Sequence, residues 1–323
     1  MKILITGGGG FIGQYLVKRL IDDGDHITVI DNHSRVDSAS DTIKNIGKIE
    51  FLQADLRNKE IYYNLEKDYE IIYHLAAIVG VQNVNDQPYS VLEDNILMMS
   101  NVIAFAKENA KLKKIVYFST SEVYAGTLKY HELIIPTPES SPITLSDINQ
   151  PRSTYMLSKI YGEAMINHCG LPYIILRPHN IYGPNMGESH VIPQLIRKSL
   201  LTDFNEKVKV DSVEHTRAFC YIDDAIDQIY KITKNNLVVN STYNIGNMME
   251  EISIGELAAL ILHETNRHQK IEPTIVDNNS PQRRCPDIRA IEEYIGQLKY
   301  TTLLDGVKKC IHWYSGQLNK EAG

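Results

Sequence analysis

The sequence predicts an α/β protein built on a doubly wound parallel sheet, and three observations predict it. Short runs rich in Ile, Val, Leu and Tyr alternate with helix-spaced apolar residues as far as Pro178. The runs are continuously apolar, as expected of strands covered on both faces. The first run ends at Thr6 in a glycine string, Gly7-x-x-Gly10-x-x-Gly13, that leads directly into a helical pattern. Together these indicate a Rossmann-type dinucleotide-binding domain over 1–178, with a return at about 222–247. A smaller α/β substrate lobe would come from 179–221 and 248–323.

Each element has its own warrant. Gly7 suits the tight turn off the first strand, Gly10 lets backbone approach a pyrophosphate, and Gly13 lets the helix lie close to the sheet. Leu16, Val17, Leu20 and Ile21 give that helix an apolar face, and Asp22-Asp-Gly24 ends it. Strands follow at His26–Ile30, Ile49–Leu52, Ile71–His74, Lys114–Phe118 and Tyr173–Arg177. Helices are expected over Tyr89–Glu108 and Thr154–His168, the latter closed by Gly170. Beyond a loop marked by Pro178, Gly183, Pro184 and Gly187, the pattern predicts a helix over Val191–Leu201 and a strand at Lys207–Val210. A helix over Ile222–Ile232 then precedes a strand at Thr242–Ile245 that could return to the sheet. Ser253-Ile-Gly-Glu256 reads as a capping box for a helix through His263. Ile271–Val276 reads as a strand and Leu303–Tyr314 as a last helix.

Composition narrows the function. The chain has 323 residues, a formal charge of -7 and no long basic run, which argues against nucleic acid while leaving room for a small anion held by local arginines. Cys169, Cys220, Cys285 and Cys310 are far apart and make no metal-ligand spacing, so reduced thiols and no metal site are expected. Met1-Lys-Ile-Leu-Ile enters the first strand directly and no apolar run is long enough for a bilayer. A cytoplasmic protein without a membrane partner is expected.

In parallel sheets of this kind ligands bind beyond the carboxyl ends of the strands. Asp31 ends the second strand about twenty residues past the glycines, where a carboxylate can accept ribose hydroxyls and repel the extra phosphate of NADP. It is also a fitting turn residue in Asp31-Asn-His-Ser34, and nearby Arg35 leaves room for NADP. Asp55 is a second candidate for the adenine end. Tyr155-Met-Leu-Ser-Lys159 places a phenol and an ammonium one helical turn apart on one face. The lysine is expected to bring the phenol from about 10 towards neutrality, making it a base for a sugar hydroxyl. An ordinary exposed helix pair is the plainer alternative.

These residues carry a resemblance that spans nearly the whole chain. The stretches are Thr6-Gly-Gly-Gly-Gly-Phe-Ile-Gly13, Asp55-Leu56, His74-Leu-Ala-Ala77, Asn95, Ser119-Thr-Ser-Glu-Val-Tyr124, Tyr155-x-x-x-Lys159 and Arg177-Pro-His-Asn-Ile-Tyr-Gly-Pro184. Arg217-Ala-Phe-Cys-Tyr-Ile-Asp-Asp224, Asn244-Ile-Gly246 and Arg283-Arg-Cys-Pro-Asp287 follow. The chain resembles the extended short-chain dehydrogenase/reductases, the NAD-dependent epimerase/dehydratase group acting on nucleotide sugars. The resemblance implies NAD held by Gly7, Gly10, Phe11, Ile12, Gly13, Asp31, Asn32, Asp55, Leu56, Ala76, Ala77 and Asn95, with Tyr155 and Lys159 at the nicotinamide end. It implies Tyr155 as base at the C4 hydroxyl, Thr120 bonded to the same oxygen, and Lys159 on the nicotinamide ribose. Asn180 would meet the substrate near its phosphates, and Arg217 and Arg284 would grip the diphosphate. It also implies a homodimer built on the helices at Tyr89–Glu108 and Thr154–His168.

Glu122 bears on the reaction. A 4-epimerase has only to remove a hydride, rotate the 4-keto sugar and return it, whereas a dehydratase must also remove a proton from C5 and expel the C6 hydroxyl and so needs a second acid/base. Thr120-Ser-Glu122 resembles GDP-mannose 4,6-dehydratases and UDP-glucuronate decarboxylases alike, and Pro281–Ile288 looks most like the decarboxylases. A dTDP-glucose-type dehydratase would carry Asp where Ser121 stands. A solvated loop acid is the plain alternative for Glu122. Ala125-Gly126 departs from the usual Val-Tyr-Gly, and Met98-Met99 replaces a small pair, most simply in a core or interface role. His179 and His190 are candidates for tuning substrate choice. The reading is therefore an enzyme forming a 4-keto nucleotide sugar, followed by Glu122-assisted dehydration or decarboxylation. A 4-epimerase and a catalytically inactive dinucleotide sensor are the alternatives.

Overall fold

The computed structural model describes residues 1–34, 49–274 and 281–321. Arg35 and the end of the expected strand at Ile271–Val276 lie outside them. Six strands are laid down in the first half: β1 (Lys2–Thr6), β2 (His26–Asp31), β3 (Ile49–Gln53), β4 (Ile71–His74), β5 (Lys114–Phe118) and β6 (Tyr173–Pro178). Between them run α1 (Phe11–Asp22), α2 (Val81–Asp86), α3 (Pro88–Lys107), α4 (Ala125–Tyr130) and α5 (Arg152–His168). An excursion follows through β7 (Ile181–Tyr182), α6 (Val191–Leu201), β8 (Val208–Asp211), β9 (Thr216–Ala218), β10 (Cys220–Tyr221) and α7 (Ile222–Lys234). The chain then returns as β11 (Ser241–Ile245), giving a seven-stranded sheet of order β11-β6-β5-β4-β1-β2-β3 with every neighbour parallel.

Continuous apolar strands place alternate side chains on two buried faces. Ile3 and Ile5 pack with Leu16, Val17 and Leu20 of α1, while Leu4 between them packs with Met98, Met99 and Val102 of α3. All six β-branched or leucine side chains from β1 and α1 here are fully buried, each contributing about 1.5–3 kcal/mol. The paired methionines are therefore core residues of α3. Gly13 is required by closeness: a Cβ there would lie 2.4 Å from the Gly7 carbonyl oxygen. At Gly170 a φ of 80° closes α5 as expected.

The rest of the C-terminal half holds β12 (Glu251–Ser253), α8 (Ile254–Glu264), β13 (Ile271–Thr274), β14 (Arg283–Arg284), α9 (Arg289–Ile295) and α10 (Leu303–Glu321). The Ser253–Glu256 capping box opens α8 as the spacing predicts. β12-β9-β14 form a small sheet, with β14 parallel to β9 and Arg284 opposite Arg217. Elements as short as α2, α4 and β14 are too brief to show periodicity in sequence. Among the described residues no helix is long and apolar enough to cross a membrane, and no cluster of His, Cys, Asp or Glu could hold a metal.

Candidate active site

The nucleotide end is built by the turn off β1. Gly7 has a φ of 73°, and a Cβ there would lie 2.5 Å from the Ala76 backbone nitrogen after β4. Gly10 caps α1 with extended backbone and no side chain, and no acid occupies the first turn, so the helix keeps its positive end for an anion. Asp31 stands beside this loop, its two oxygens accepting the Gly9 and His33 N–H groups at 2.9 Å each. It is thus both the turn residue and the acid facing the glycines. Asn32 accepts from the Ser34 N–H at 3.0 Å. These residues fit a dinucleotide: a glycine turn without side chains, an uncapped helix end and a carboxylate beside it.

Other positions implied by resemblance are engaged within the protein. Asp55 forms a forked pair with Arg57, which holds its carboxyl below the usual range, and Arg57 also reaches Asp94 at 2.8 Å. Leu56 is packed in the core. Asn95 accepts the Ile78 N–H at 2.7 Å and donates to Ser158 Oγ at 3.1 Å, tying the segment after β4 to α5. Phe11 stacks edge-on against Tyr15, and Ile12 packs against the core.

At the other end of the cleft, Thr120 follows β5 and caps a short 3₁₀ turn, Ser121–Tyr124, its Oγ1 accepting the Glu122 N–H at 3.2 Å. Tyr155 and Lys159 come from α5. Lys159 Nζ donates to the Phe118 carbonyl at 2.7 Å and lies 5.9 Å from the Tyr155 ring centre. The electrostatics differ from the sequence expectation. Burial, then the Glu122 carboxylate, pushes the Tyr155 phenol well above its ordinary value, and only a hydrogen bond with Thr120 works the other way. Lys159 is itself pushed down to about 7 by burial, against the opposing pull of Glu163. The lysine alone does not bring the phenol towards neutrality, because desolvation of the phenolate outweighs it.

Glu122 is not a solvated loop acid. Its carboxylate takes Arg284 at 3.0 Å and Arg152 at 3.4 Å. Burial pushes the carboxyl up, but the two guanidiniums outweigh it and hold it below the usual range, ionised at neutral pH. Arg217 lies across the β9–β14 ladder from Arg284 and donates to the Thr216 carbonyl at 2.7 Å. Burial and then Arg284 push its guanidinium down to about 10. Asn180, in left-handed backbone at φ 42°, donates to the Ala218 carbonyl at 3.1 Å and so fixes β9. Arg284 therefore pairs with Glu122 while lying opposite Arg217. Arg152, one helical turn before Tyr155 on the same helix, carries no sequence motif that marks it as part of the site.

A buried network backs this centre. Ser119 Oγ donates to Glu163 at 2.5 Å, and Arg177 forks onto Glu163 at 2.9 and 2.7 Å. Arg177 also donates to the Tyr124 hydroxyl at 2.6 Å, which in turn donates to Asn244 Oδ1 at 3.1 Å. Satisfied buried networks of this kind fix geometry.

Residues 3–246 match the NAD dependent epimerase/dehydratase family. The chain is 30% identical to UDP-glucuronic acid decarboxylase 1 of Xenopus tropicalis over 329 residues, which cover 99% of this chain and 74% of that protein. A dTDP-glucose 4,6-dehydratase of Streptomyces venezuelae, solved with NAD bound, shares the fold with a TM-score of 0.84 at 22% identity, covering 99% of this chain and 98% of that one. A variant of UDP-glucuronic acid 4-epimerase from Bacillus cereus, also solved with NAD, gives 0.83 at 24%, covering 98% and 100%. With the match running from β1 to the end of β11, this chain belongs to the NAD dependent epimerase/dehydratase family and is an NAD-dependent enzyme.

Proposed function

We propose that the enzyme oxidises C4 of a nucleotide-diphosphate sugar and that Glu122 then assists loss of carbon dioxide, or of water, from the 4-keto sugar. The observation that carries this reading is Glu122 held ionised between Arg284 and Arg152. A simple 4-epimerase has no need of a charged acid clamped there. Two guanidiniums against one carboxylate leave net positive charge where the sugar would lie, which suits a C6 carboxylate and favours decarboxylation.

NAD, when bound, would supply the redox chemistry by taking the hydrogen at C4 and later returning it to the sugar, and its oxidised ring is a cation. Gly7, Gly10, Gly13 and Asp31 would hold its pyrophosphate and adenosine ribose, and Lys159 its nicotinamide ribose. Tyr155 takes the proton of the C4 hydroxyl while Thr120 holds the same oxygen. The raised phenol needs positive charge nearby to ionise, and Lys159 with the bound cofactor provides it. In decarboxylation the C5–C6 bond breaks, its electron pair enters the 4-ketone as an enolate, carbon dioxide leaves, and Glu122 relays a proton from water to C5. In dehydration Glu122, already ionised, takes the C5 proton, the C5–H electron pair forms the C5–C6 double bond, the C6 hydroxyl leaves as water with that proton, and the new double bond then takes back the hydrogen removed at oxidation. Arg217 and Arg284 lie on the lobe of residues 179–221 and 248–323, which would hold the nucleotide diphosphate with Asn180. Two copies would pair through α3 and α5, where Tyr89 and Tyr161 stand exposed.

Incubation with UDP-, GDP-, CDP- and dTDP-linked sugars, followed by mass spectrometry, tests the reading. Loss of carbon dioxide or water supports it. Unchanged mass with altered sugar couplings in NMR replaces it with epimerisation, and inertness across the panel replaces it with a dinucleotide sensor.

A further inference from the structure

His179, next to Asn180 at the end of β6, has a tautomer that its neighbours decide. The Asn244 amide nitrogen donates to the carbonyls of Thr137 at 2.9 Å and Asp287 at 3.0 Å, which fixes its oxygen towards Tyr124 and His179. That oxygen only accepts, so His179 Nε2, 3.1 Å away, carries the proton. Burial first, and the Arg284 guanidinium second, push the imidazole down to about 3, so the ring is neutral. Nδ1 is then a bare lone pair, and it is buried without a hydrogen-bond partner in the protein. The ring is 1% exposed and lines a recess with Ser121, Tyr124, Leu128, Leu133 and Arg284, adjoining the Glu122 centre.

We propose that His179 Nδ1 is a specificity-determining acceptor that reads one uncharged hydroxyl of the bound sugar. This rests on the nucleotide-sugar reading above and adds to it a contact at a residue given no role there. An unprotonated, neutral nitrogen can receive only a donor. A bare lone pair repels the lone pairs of a carboxylate, so the partner at that nitrogen is a hydroxyl, and a C6 carboxylate is left to the Arg284 guanidinium in the same recess. Buried acceptors are normally satisfied, and a donor arriving with the substrate would satisfy this one.

The test uses the full chain with NAD bound and ¹⁵N-labelled histidine. Probes are UDP, UDP-glucuronic acid, UDP-xylose and UDP-N-acetylglucosamine, with binding followed by calorimetry. The free enzyme should show His179 as the Nε2–H tautomer. UDP should leave the Nδ1 resonance unchanged, and a UDP-sugar that binds should shift it as a hydrogen bond forms. His179→Gln, which keeps a donor towards Asn244 and drops Nδ1, should raise KM for the productive sugar about tenfold, with kcat changed far less. His179→Asn, which restores an acceptor at the Nδ1 position, should recover most of that KM. An Nδ1–H tautomer overturns the proposal, as does a parental KM in His179→Gln. So does a UDP-sugar that binds and leaves Nδ1 as UDP leaves it, which would indicate a trapped water only. An Nδ1 shift that appears only with UDP-N-acetylglucosamine replaces the hydroxyl with an amide donor and overturns the proposal as stated. Where only a GDP-, CDP- or dTDP-sugar binds, it and its nucleoside diphosphate replace the UDP probes, and failure of every sugar nucleotide of the four classes to bind, with NAD still bound, removes the nucleotide-sugar reading and this inference together.

Discussion

Glu122→Gln separates the two halves of the proposed reaction. The amide keeps the shape of the side chain between Arg284 and Arg152, at 3.0 and 3.4 Å, but removes its charge. The structural cost is modest, because Arg152 is 39% exposed and its share of the pairing is screened. A loss of about 1 kcal/mol in stability is expected. The kinetic cost is larger, since a positioned acid–base group is worth about 10²–10⁴ in rate, or about 3–5 kcal/mol. Oxidation should respond in the opposite sense. The carboxylate is one of the causes, after burial, that hold the Tyr155 phenol high. Removing it lowers the phenol's pKa, so C4 oxidation should set in at lower pH than in the parent. The assay is a single turnover with a productive sugar nucleotide, following the near-ultraviolet band of reduced nicotinamide and the mass of the sugar. Reduced cofactor should appear and persist with a 4-keto sugar that is not carried on to product. Full turnover in the variant refutes the role of Glu122, and an unmoved pH profile for oxidation refutes its coupling to Tyr155.

Other substitutions probe the supports of the site. Gly162→Ala would place a Cβ 2.2 Å from the hydroxyl of buried Tyr117, forcing α5 off the sheet. It should cost about 1–3 kcal/mol in a denaturant titration and lower kcat, because α5 carries Tyr155 and Lys159. Asp31→Asn should weaken NAD by about tenfold in a fluorescence titration and narrow the preference over NADP, since the lost charge is what repels the extra phosphate. His74 and His179 are buried, and burial pushes both from 6.5 down to about 3. Their contribution to stability is present above about 6.5 and lost as pH falls towards about 3, because the unfolded chain takes up protons the folded one refuses. Between those limits each adds a slope of about 1.4 kcal/mol per pH unit, so His179→Gln should flatten the acid limb of a calorimetric stability curve by that amount.

The sheet was legible because its strands are long apolar runs and its first turn demands glycine at Gly7 and Gly13. The Tyr155–Lys159 pair was legible because four-residue spacing puts both on one face of a helix. What sequence could not supply is the balance of burial against charge. Lys159 promised a lowered phenol, yet the same burial that brings the two together penalises both charged forms. Arg152 and Arg284 reach Glu122 from segments 132 positions apart in number, a meeting that no local pattern encodes. The free lone pair on His179 depends on Asn244, on Tyr124 and on two backbone carbonyls, all distant in the chain.

The return of β11 to the sheet sets the order in which this chain can mature during synthesis. β6 is complete at Pro178, but the strand that covers its outer edge ends at Ile245. At elongation rates of about 5–20 residues per second the interval between them lasts roughly 3 to 13 seconds. Throughout it, a growing chain presents Ile174, Ile175 and Leu176 on an unpaired edge, the kind of surface that recruits other strands. Lys114 then fastens the closing segment from beneath, donating to the carbonyls of Asn235 at 2.7 Å and Val238 at 2.9 Å. Yield on overexpression should accordingly be governed by chaperone capacity and translation speed between these two strands, more than by the stability of the finished enzyme.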